Sequence, residues 1–452
     1  MAPPVEAGPS RPNVGDELEL HIDSLAFGGA GVARHDGYVV FVEGAFPGDR
    51  VRARIHHRKR AYAQARATAL LEPGPDRVAP LAQHPGAPWQ ELAYERQVEI
   101  KQAQIDDALR RIGHLDGFAL EEIVPAEQLW RYRNKLEYSF GAGADGELVL
   151  GFHEPGSWER IVPLDDCLLA SEPANAARQV ALDWCRGQGL APFDRRTHAG
   201  FLRNLVVREG RRTGELQVRI VTTPGELDAA SLAEALSVQS LLHTRTDALA
   251  ETSQGGNTEL ISGTPTIAEE ICGLRVAISP DAFFQTNTEM AERLYGLAAQ
   301  AADLRGWERI FDLFCGTGTI GLSLAGHAGS VHGLEIVPEA VADAIANARA
   351  NEITNASFYA GDVRLALGEL TSRAGRPDVV VVDPPRAGLS QKVVRRIIDA
   401  APKRIVYVSC NPTTLAPNAA QLTEAGYRLG RVMPIDMFPQ TPHIECVAVL
   451  AR

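Results

Sequence analysis

The chain has 452 residues, 45% of them hydrophobic and 23% charged. That composition excludes a wholly disordered or fibrous protein, and at roughly 100 to 200 residues per domain the length supports several cores. A net charge of -12 excludes a protein that coats nucleic acid over its whole surface, because phosphate affinity comes mainly from Lys and Arg displacing counterions. No apolar run approaches the roughly 18 residues a membrane helix needs, and Met1 to Asn13 is Pro-rich rather than leader-like, so a soluble, cytoplasmic protein is expected. The six cysteines are scattered without a CxxC pair, which argues against a disulfide framework or a zinc ribbon.

Residues 1–13 are expected to form a disordered tail. From 14 to 72, the runs ELELHIDSLAF, YVVFVEGAF, RVRARIHH and AYAQARATALL are separated by turn signals at Gly28-Gly29 and Pro47-Gly48-Asp49. Alternating apolar residues with turns at this spacing predict a small all-β, OB-like barrel. Arg50, Arg52, Arg54, Arg58, Lys59, Arg60 and Arg66 follow one another without an intervening acid, a local positive field suited to RNA phosphates or, more plainly, a solvated basic face. After Pro73-Gly74-Pro75 the apolar spacing predicts a helix over 91–112. Residues 73–275 read as a central α+β domain that binds RNA. Its WRYRNK segment interleaves Arg131, Arg133 and Lys135 with Trp130 and Tyr132, a mixture suited to base stacking as well as phosphate contact.

From 276 to 452 apolar strands alternate with amphipathic helices, which predicts a parallel sheet covered on both faces, with ligands at the carboxyl ends of its strands. The first strand ends in DLFCGTGTIG, a glycine-rich turn with Gly316, Gly318 and Gly321. Glu335 ends the second strand, where an acid can hold ribose hydroxyls, and Asp362 ends the third, placed for an adenine edge. Asp312 and Asp383 repel a pyrophosphate and welcome a sulfonium and an amino group, which favours S-adenosylmethionine over a nicotinamide dinucleotide. The fourth strand ends in DPPRAG and the fifth in YVSCNP, which brings the Cys410 thiol to the same edge. A thiol there suits covalent catalysis: C5 of uracil becomes a nucleophile only when a thiolate adds to C6, and a base must then remove the C5 proton. The last strand offers Glu445 as that base, with His443 as its competitor and Cys446 expected in the core.

Taken together, FFQTN, DLFCGTGTIG, DPPRAGL, YVSCNP and MFPQTPHIEC resemble, in order and spacing, the RNA uracil-5-methyltransferase family, and the barrel is similar to the TRAM domain of its ribosomal-RNA members. The resemblance implies a multidomain α/β protein, a TRAM-like barrel, a central domain and a class I methyltransferase domain, acting on RNA, with 23S ribosomal RNA favoured over transfer RNA. It implies Cys410 as nucleophile, Glu445 as base, and Gln285, Phe314, Gly316, Thr319, Glu335, Asp362 and Asp383 around S-adenosylmethionine; Thr319 stands where relatives often have Asn. It also marks a departure. Many ribosomal-RNA members hold a [4Fe-4S] cluster through three cysteines before the helix containing Tyr94, Gln97 and Lys101, whereas the stretch from Val78 to Gln90 has none and Cys167 is left as an orphaned fourth ligand. No cluster is therefore expected, and packing through Trp89 and the prolines must hold that loop. A monomer is the default. The rival readings are a cytosine-5 RNA methyltransferase, which typically carries a cysteine in the Asp-Pro-Pro region, an amino-group methyltransferase, which usually has an aromatic residue where Arg386 stands, and an RNA-binding factor with an inactive catalytic domain.

Overall fold

The computed structural model describes residues 11–249, 253 and 255–452, so the first ten residues of the expected tail lie outside the described residues. The chain forms two compact units that do not follow chain order. One takes residues up to 83, 87–104 and 438–443; the other takes 84–86, 105–437 and 444–452.

In the first unit, strands Glu17–His21, Ser24–Leu25, Gly31–His35, Tyr38–Glu43, Arg50–Arg58 and Tyr62–Glu72 form one sheet in the order first, fifth, sixth, fourth, third, second. The two strands at the ends of this order are consecutive in the chain. A single bent run therefore pairs with Arg50–Arg58 at its start and with Gly31–His35 at its end, carrying the ladder round into the OB-like barrel. Along Arg50–Arg58, Val51, Ala53 and Ile55 point inward and the arginines outward, as the two-residue period requires. Alanines 33, 53, 63 and 65 keep the interior narrow enough to fill. The predicted helix begins at Tyr94, runs to Asp107 and ends in a π-turn over Ala108–Ile112. Its Gln97 amide donates to the carbonyls of Trp89 and Leu92 and to Gln440 Oε1, and the Lys101 ammonium lies 5.6 Å from the Trp89 ring centroid. The fully buried Trp89 is thus fixed by hydrogen bonds and packing.

The second unit holds two large sheets and one two-stranded sheet. The central one has seven strands in the order Ile161–Pro163, Leu148–His153, Lys135–Ala142, Leu202–Glu209, Leu216–Thr222, Ser240–Arg245, Asn257–Gly263. Ile267–Ile271 and Leu274–Ile278 stand apart from it as an antiparallel hairpin. The eight-stranded sheet runs Ala356–Ala360, Ser330–Glu335, Arg309–Leu313, Val379–Val382, Arg404–Ser409, Glu445–Ala451, Arg428–Ile435, Ala119–Leu120. The first five strands are parallel, and Glu445–Ala451 is antiparallel to its neighbours on both sides. This reversal decides the geometry of the site. Because that strand runs backwards, its first residue lies at the edge where the parallel strands finish.

Candidate active site

Each of the five parallel strands contributes a chemical group at its carboxyl end. Strand Arg309–Leu313 carries the buried Asp312, whose Oδ2 accepts from the Gly321 amide at 2.9 Å, while its Oδ1 has no hydrogen bond among the described residues. Burial, opposed by that amide and reinforced by Asp383 and Glu335, pushes its carboxyl up to about 7. The chain then enters Phe314 at φ +62° and turns through Gly316 at +53° and Gly318 at +78° before helix Thr319–Ala325. A Cβ on Gly318 would approach Phe358 to 2.8 Å, whereas one on Gly316 would meet nothing within 4 Å. Glu335 Oε2 accepts from the Gly316 amide at 3.1 Å, which ties the ends of the first two strands together. Asp362 caps helix Val363–Ala374 and its carboxylate is engaged by Arg364. The Thr319 hydroxyl lies 3.3 Å from Tyr295 Oη.

Two of the expected cofactor residues from distant parts of the chain come close to each other, the Gln285 amide acting on the Asp383 carboxyl. Burial raises that carboxyl to about 7, against the lowering effect of the amide. Gln285 is held from behind by a residue that no sequence pattern singled out. Asn134, the Asn of WRYRNK, donates through Nδ2 to the Gln285 carbonyl at 2.9 Å and through its backbone amide to Thr286 at 2.8 Å. The DPPRAGL loop is fixed by Asn418, which exchanges hydrogen bonds with the backbone of Leu389 in both directions.

Cys410 directly follows strand Arg404–Ser409 and precedes Asn411, the N-cap of helix Pro412–Glu424, whose side chain accepts from Thr413 N at 3.0 Å. In the antiparallel ladder Ser409 is opposite Cys446. Cys410 and Glu445 are the residues that border this last pair, so continuing the register by one residue would set them opposite each other. Electrostatics agree with this placement. Burial first, then the carboxyls of Glu445 and Asp383, push the Cys410 thiol up to about 12, with the Arg386 guanidinium working in the opposite direction. Glu445 is buried, and burial and Asp383 hold its carboxyl well above the usual range, again opposed by Arg386. Arg386, noted in the sequence only for what it is not, is therefore the cation of the site. Cys446 is fully buried in the core. His443 belongs to the other compact unit, where its ring packs edge-on against Phe438.

The residues at the carboxyl edge fit S-adenosylmethionine. Gly316 leaves its backbone open to close approach, Asp312 offers a buried oxygen lacking a donor, and three carboxylates suit a ligand carrying a sulfonium and an ammonium. An iron–sulfur cluster does not fit. In place of cysteines, the stretch from Val78 to Gln90 supplies His84, whose Nε2 lies 3.3 Å from Cys167 Sγ. Burial and then Arg133 lower that imidazole to about 4, so it is neutral, and two donors fall short of the four a cluster needs.

The basic segments differ from their appearance in the sequence. Cross-strand pairing brings acids to the arginines: Arg50 pairs with Glu72 at 2.6 Å, Arg52 with Glu19 at 3.4 Å and Arg66 with Glu43 at 2.7 Å. Among the described residues Arg54, Lys59 and Arg60 have no ion pair, and Arg58 donates to Asn13 Oδ1 at 3.0 Å. In WRYRNK, Tyr132 is fully buried and cannot stack on a base, and Arg131 is paired with Asp166 at 2.6 Å. Arg133 faces His84.

With this geometry established, the chain can be compared with known proteins. Residues 270–452 match the family model for tRNA (uracil-5-)-methyltransferase, and residues 11–68 match the TRAM domain. The chain is 37% identical to an RNA methyltransferase of Halalkalibacterium halodurans, covering 97% of each chain, and 39% identical to one of Gloeobacter violaceus with the same coverage. Its fold is similar to the crystal structure of the Pyrococcus abyssi tRNA (uracil-54, C5)-methyltransferase in complex with S-adenosyl-L-homocysteine. The TM-score is 0.80 and the identity 29%, covering 96% of this chain and all of that one. The matches over residues 270–452 and over the TRAM domain, with relatives aligned along nearly their whole length, show that the chain belongs to the RNA uracil-5-methyltransferase family and is an S-adenosylmethionine-dependent RNA methyltransferase.

Proposed function

We propose that this enzyme methylates C5 of a uridine in a folded RNA through a covalent adduct between Cys410 and C6, with Glu445 accepting the C5 proton. The observation that carries the reading is the ladder that ends at Ser409 opposite Cys446, with Cys410 and Glu445 bordering that pair and both influenced by Asp383 and Arg386. Addition of the Cys410 sulfur to C6 turns the ring into an enolate whose C5 is nucleophilic. S-adenosylmethionine supplies, when bound, an electrophilic methyl carbon. Glu445 then removes the proton left on C5, the C5–C6 double bond re-forms, and Cys410 departs as thiolate. The free protein holds the thiol protonated, which protects it from oxidation. Arg386 and the amino-terminal end of helix Pro412–Glu424 are the groups that favour its ionised form. Asp383 and Asp312 would receive the cationic part of the cofactor, Glu335 would hold its ribose hydroxyls, and Gln285 orients Asp383. Reaching a base inside a folded RNA requires its extrusion, and Arg54, Arg58, Lys59 and Arg60 of the barrel hold the surrounding backbone.

The TRAM domain favours ribosomal RNA, as in the family members that the chain resembles. A transfer RNA target is the second reading, favoured by the similarity to the Pyrococcus abyssi enzyme over that protein's full length. Mapping 5-methyluridine in both RNA pools of a strain with and without the gene decides between them: loss at one ribosomal position supports the first, and loss in transfer RNA supports the second. For the chemistry, Cys410→Ala should abolish turnover while leaving S-adenosylmethionine affinity within about twofold. Product formation at the normal rate would remove Cys410 as nucleophile.

A further inference from the structure

The central sheet carries a concave site on its outer edge that the methyl-transfer chemistry does not use. Between the ends of strands Lys135–Ala142 and Leu148–His153 and the loop after Pro192 lies a cavity of about 280 Å³, lined among others by Trp158, Phe193, Arg195, Arg196 and Arg203. Trp158 is 52% exposed, an unusual state for an indole that would gain by burial. The guanidinium groups of Arg195 and Arg196 lie 6.0 and 5.8 Å from its ring centroid. Also in the lining, the Arg203 guanidinium stands 4.9 Å from the centroid of Phe193 and donates to the Ala248 carbonyl. Two acids accompany the three cations: Glu159 pairs with Arg196, and Asp194 accepts from the Arg196 amide. On a chain of net charge -12, this is a locally cationic hollow whose lining includes the aromatic residues Trp158 and Phe193.

We propose that this hollow binds one unpaired nucleotide of the RNA substrate, with its base stacked on Trp158 and its phosphate held by Arg195 and by Arg196 in exchange for Glu159. The inference rests on RNA being the substrate and adds a point of recognition away from the catalytic edge. Alternating aromatic and guanidinium groups give any base a π-face and any phosphodiester a counter-charge, which is how single-stranded RNA is held with little base preference. The volume suits a nucleobase with part of its ribose. Two isolated rings among charged groups offer no continuous apolar surface for an acyl chain or an apolar peptide.

The test measures binding separately from catalysis. With the full chain and a 4-thiouridine-substituted oligouridylate as probe, ultraviolet cross-linking should map to the segment 154–160. Trp158→Ala should weaken affinity about tenfold and Trp158→Phe should restore most of it. Because Trp158 is exposed, the thermal midpoint, S-adenosylmethionine affinity and turnover at saturating RNA should match the wild type. Combined replacement of Arg195 and Arg196 by Ala should flatten the salt dependence of binding. Unchanged affinity in Trp158→Ala, or no cross-link to 154–160, would overturn the proposal. A wild-type enzyme that cross-links there but leaves uridine C5 unmethylated would instead refute the proposed chemistry and leave this site standing.

Discussion

Of the six cysteines, Cys167, Cys185, Cys315 and Cys446 are buried and only Cys272 and Cys410 reach solvent. Cys272 sits at a hairpin turn at φ +52°, whereas Cys410 stands at the sheet edge among two carboxyls and a guanidinium. The acids around it give the site a pH signature. Asp312 and Asp383 both have carboxyls near 7 in the folded protein, raised by burial above the ordinary 3.8. The folded state therefore binds more protons than the unfolded state between about pH 4 and 7, and the stability of the cofactor-free protein should fall as pH rises through that window. A cationic ligand favours the ionised carboxylates, so S-adenosylmethionine should bind several-fold more tightly at pH 8 than at pH 6 and release protons near pH 7. Calorimetry in buffers of different ionisation enthalpy reads this directly. An affinity independent of pH, with no proton release, would mean that these acids do not face the cofactor.

At the scale of elements, the barrel depends on one buried acid in the Pro-Gly-Asp turn. Asp49 is fully buried; its Oδ2 accepts from the Phe46 amide at 2.7 Å and its Oδ1 from Gly74 N at 2.8 Å and Arg77 Nε at 3.1 Å. Replacing it with Asn removes the charge opposite Arg77 and presents a donor to donors. Asp49→Asn should cost about 2–3 kcal/mol in denaturant unfolding of the barrel; a loss below about 0.5 kcal/mol would show that the turn is held by other contacts. The turn itself was legible in the sequence, but its role as the anchor of Gly74 and Arg77 was not, because both partners lie more than twenty residues away. The same distinction applies to the strands. Period-two alternation revealed Arg50–Arg58 and Tyr62–Glu72, and continuous apolar runs revealed the parallel strands. Strand direction was hidden, and the antiparallel course of Glu445–Ala451 is what brings Glu445 to Cys410.

For the whole molecule, the acidic average charge conceals where RNA can be held, and so did the run of seven cations read along the chain. Three of them are matched by Glu19, Glu43 and Glu72 across the ladder, information that only strand pairing contains. Exposed pairs of this kind contribute roughly 0–1 kcal/mol, and phosphates meet the remaining cations on more favourable terms. Joint replacement of Arg58, Lys59 and Arg60 by Ala should therefore weaken RNA binding uniformly and lower the salt slope by about 2–3, whereas Arg50→Ala and Arg66→Ala should do little. Equal effects from the paired and unpaired arginines would contradict this division. Cys410 and Glu445 stood out in the sequence because motif order survives at strand ends; Arg386 and Asn134 did not, since their contacts exist only once distant loops converge. The central claim is that Cys410 and Glu445 act on one uracil ring. The most direct test is Glu445→Gln incubated with S-adenosylmethionine and substrate RNA, followed by denaturing electrophoresis and mass spectrometry. The expected result is a stable protein–RNA adduct that carries the transferred methyl group and maps to Cys410. Full turnover with no adduct, or an adduct at any other residue, would contradict it.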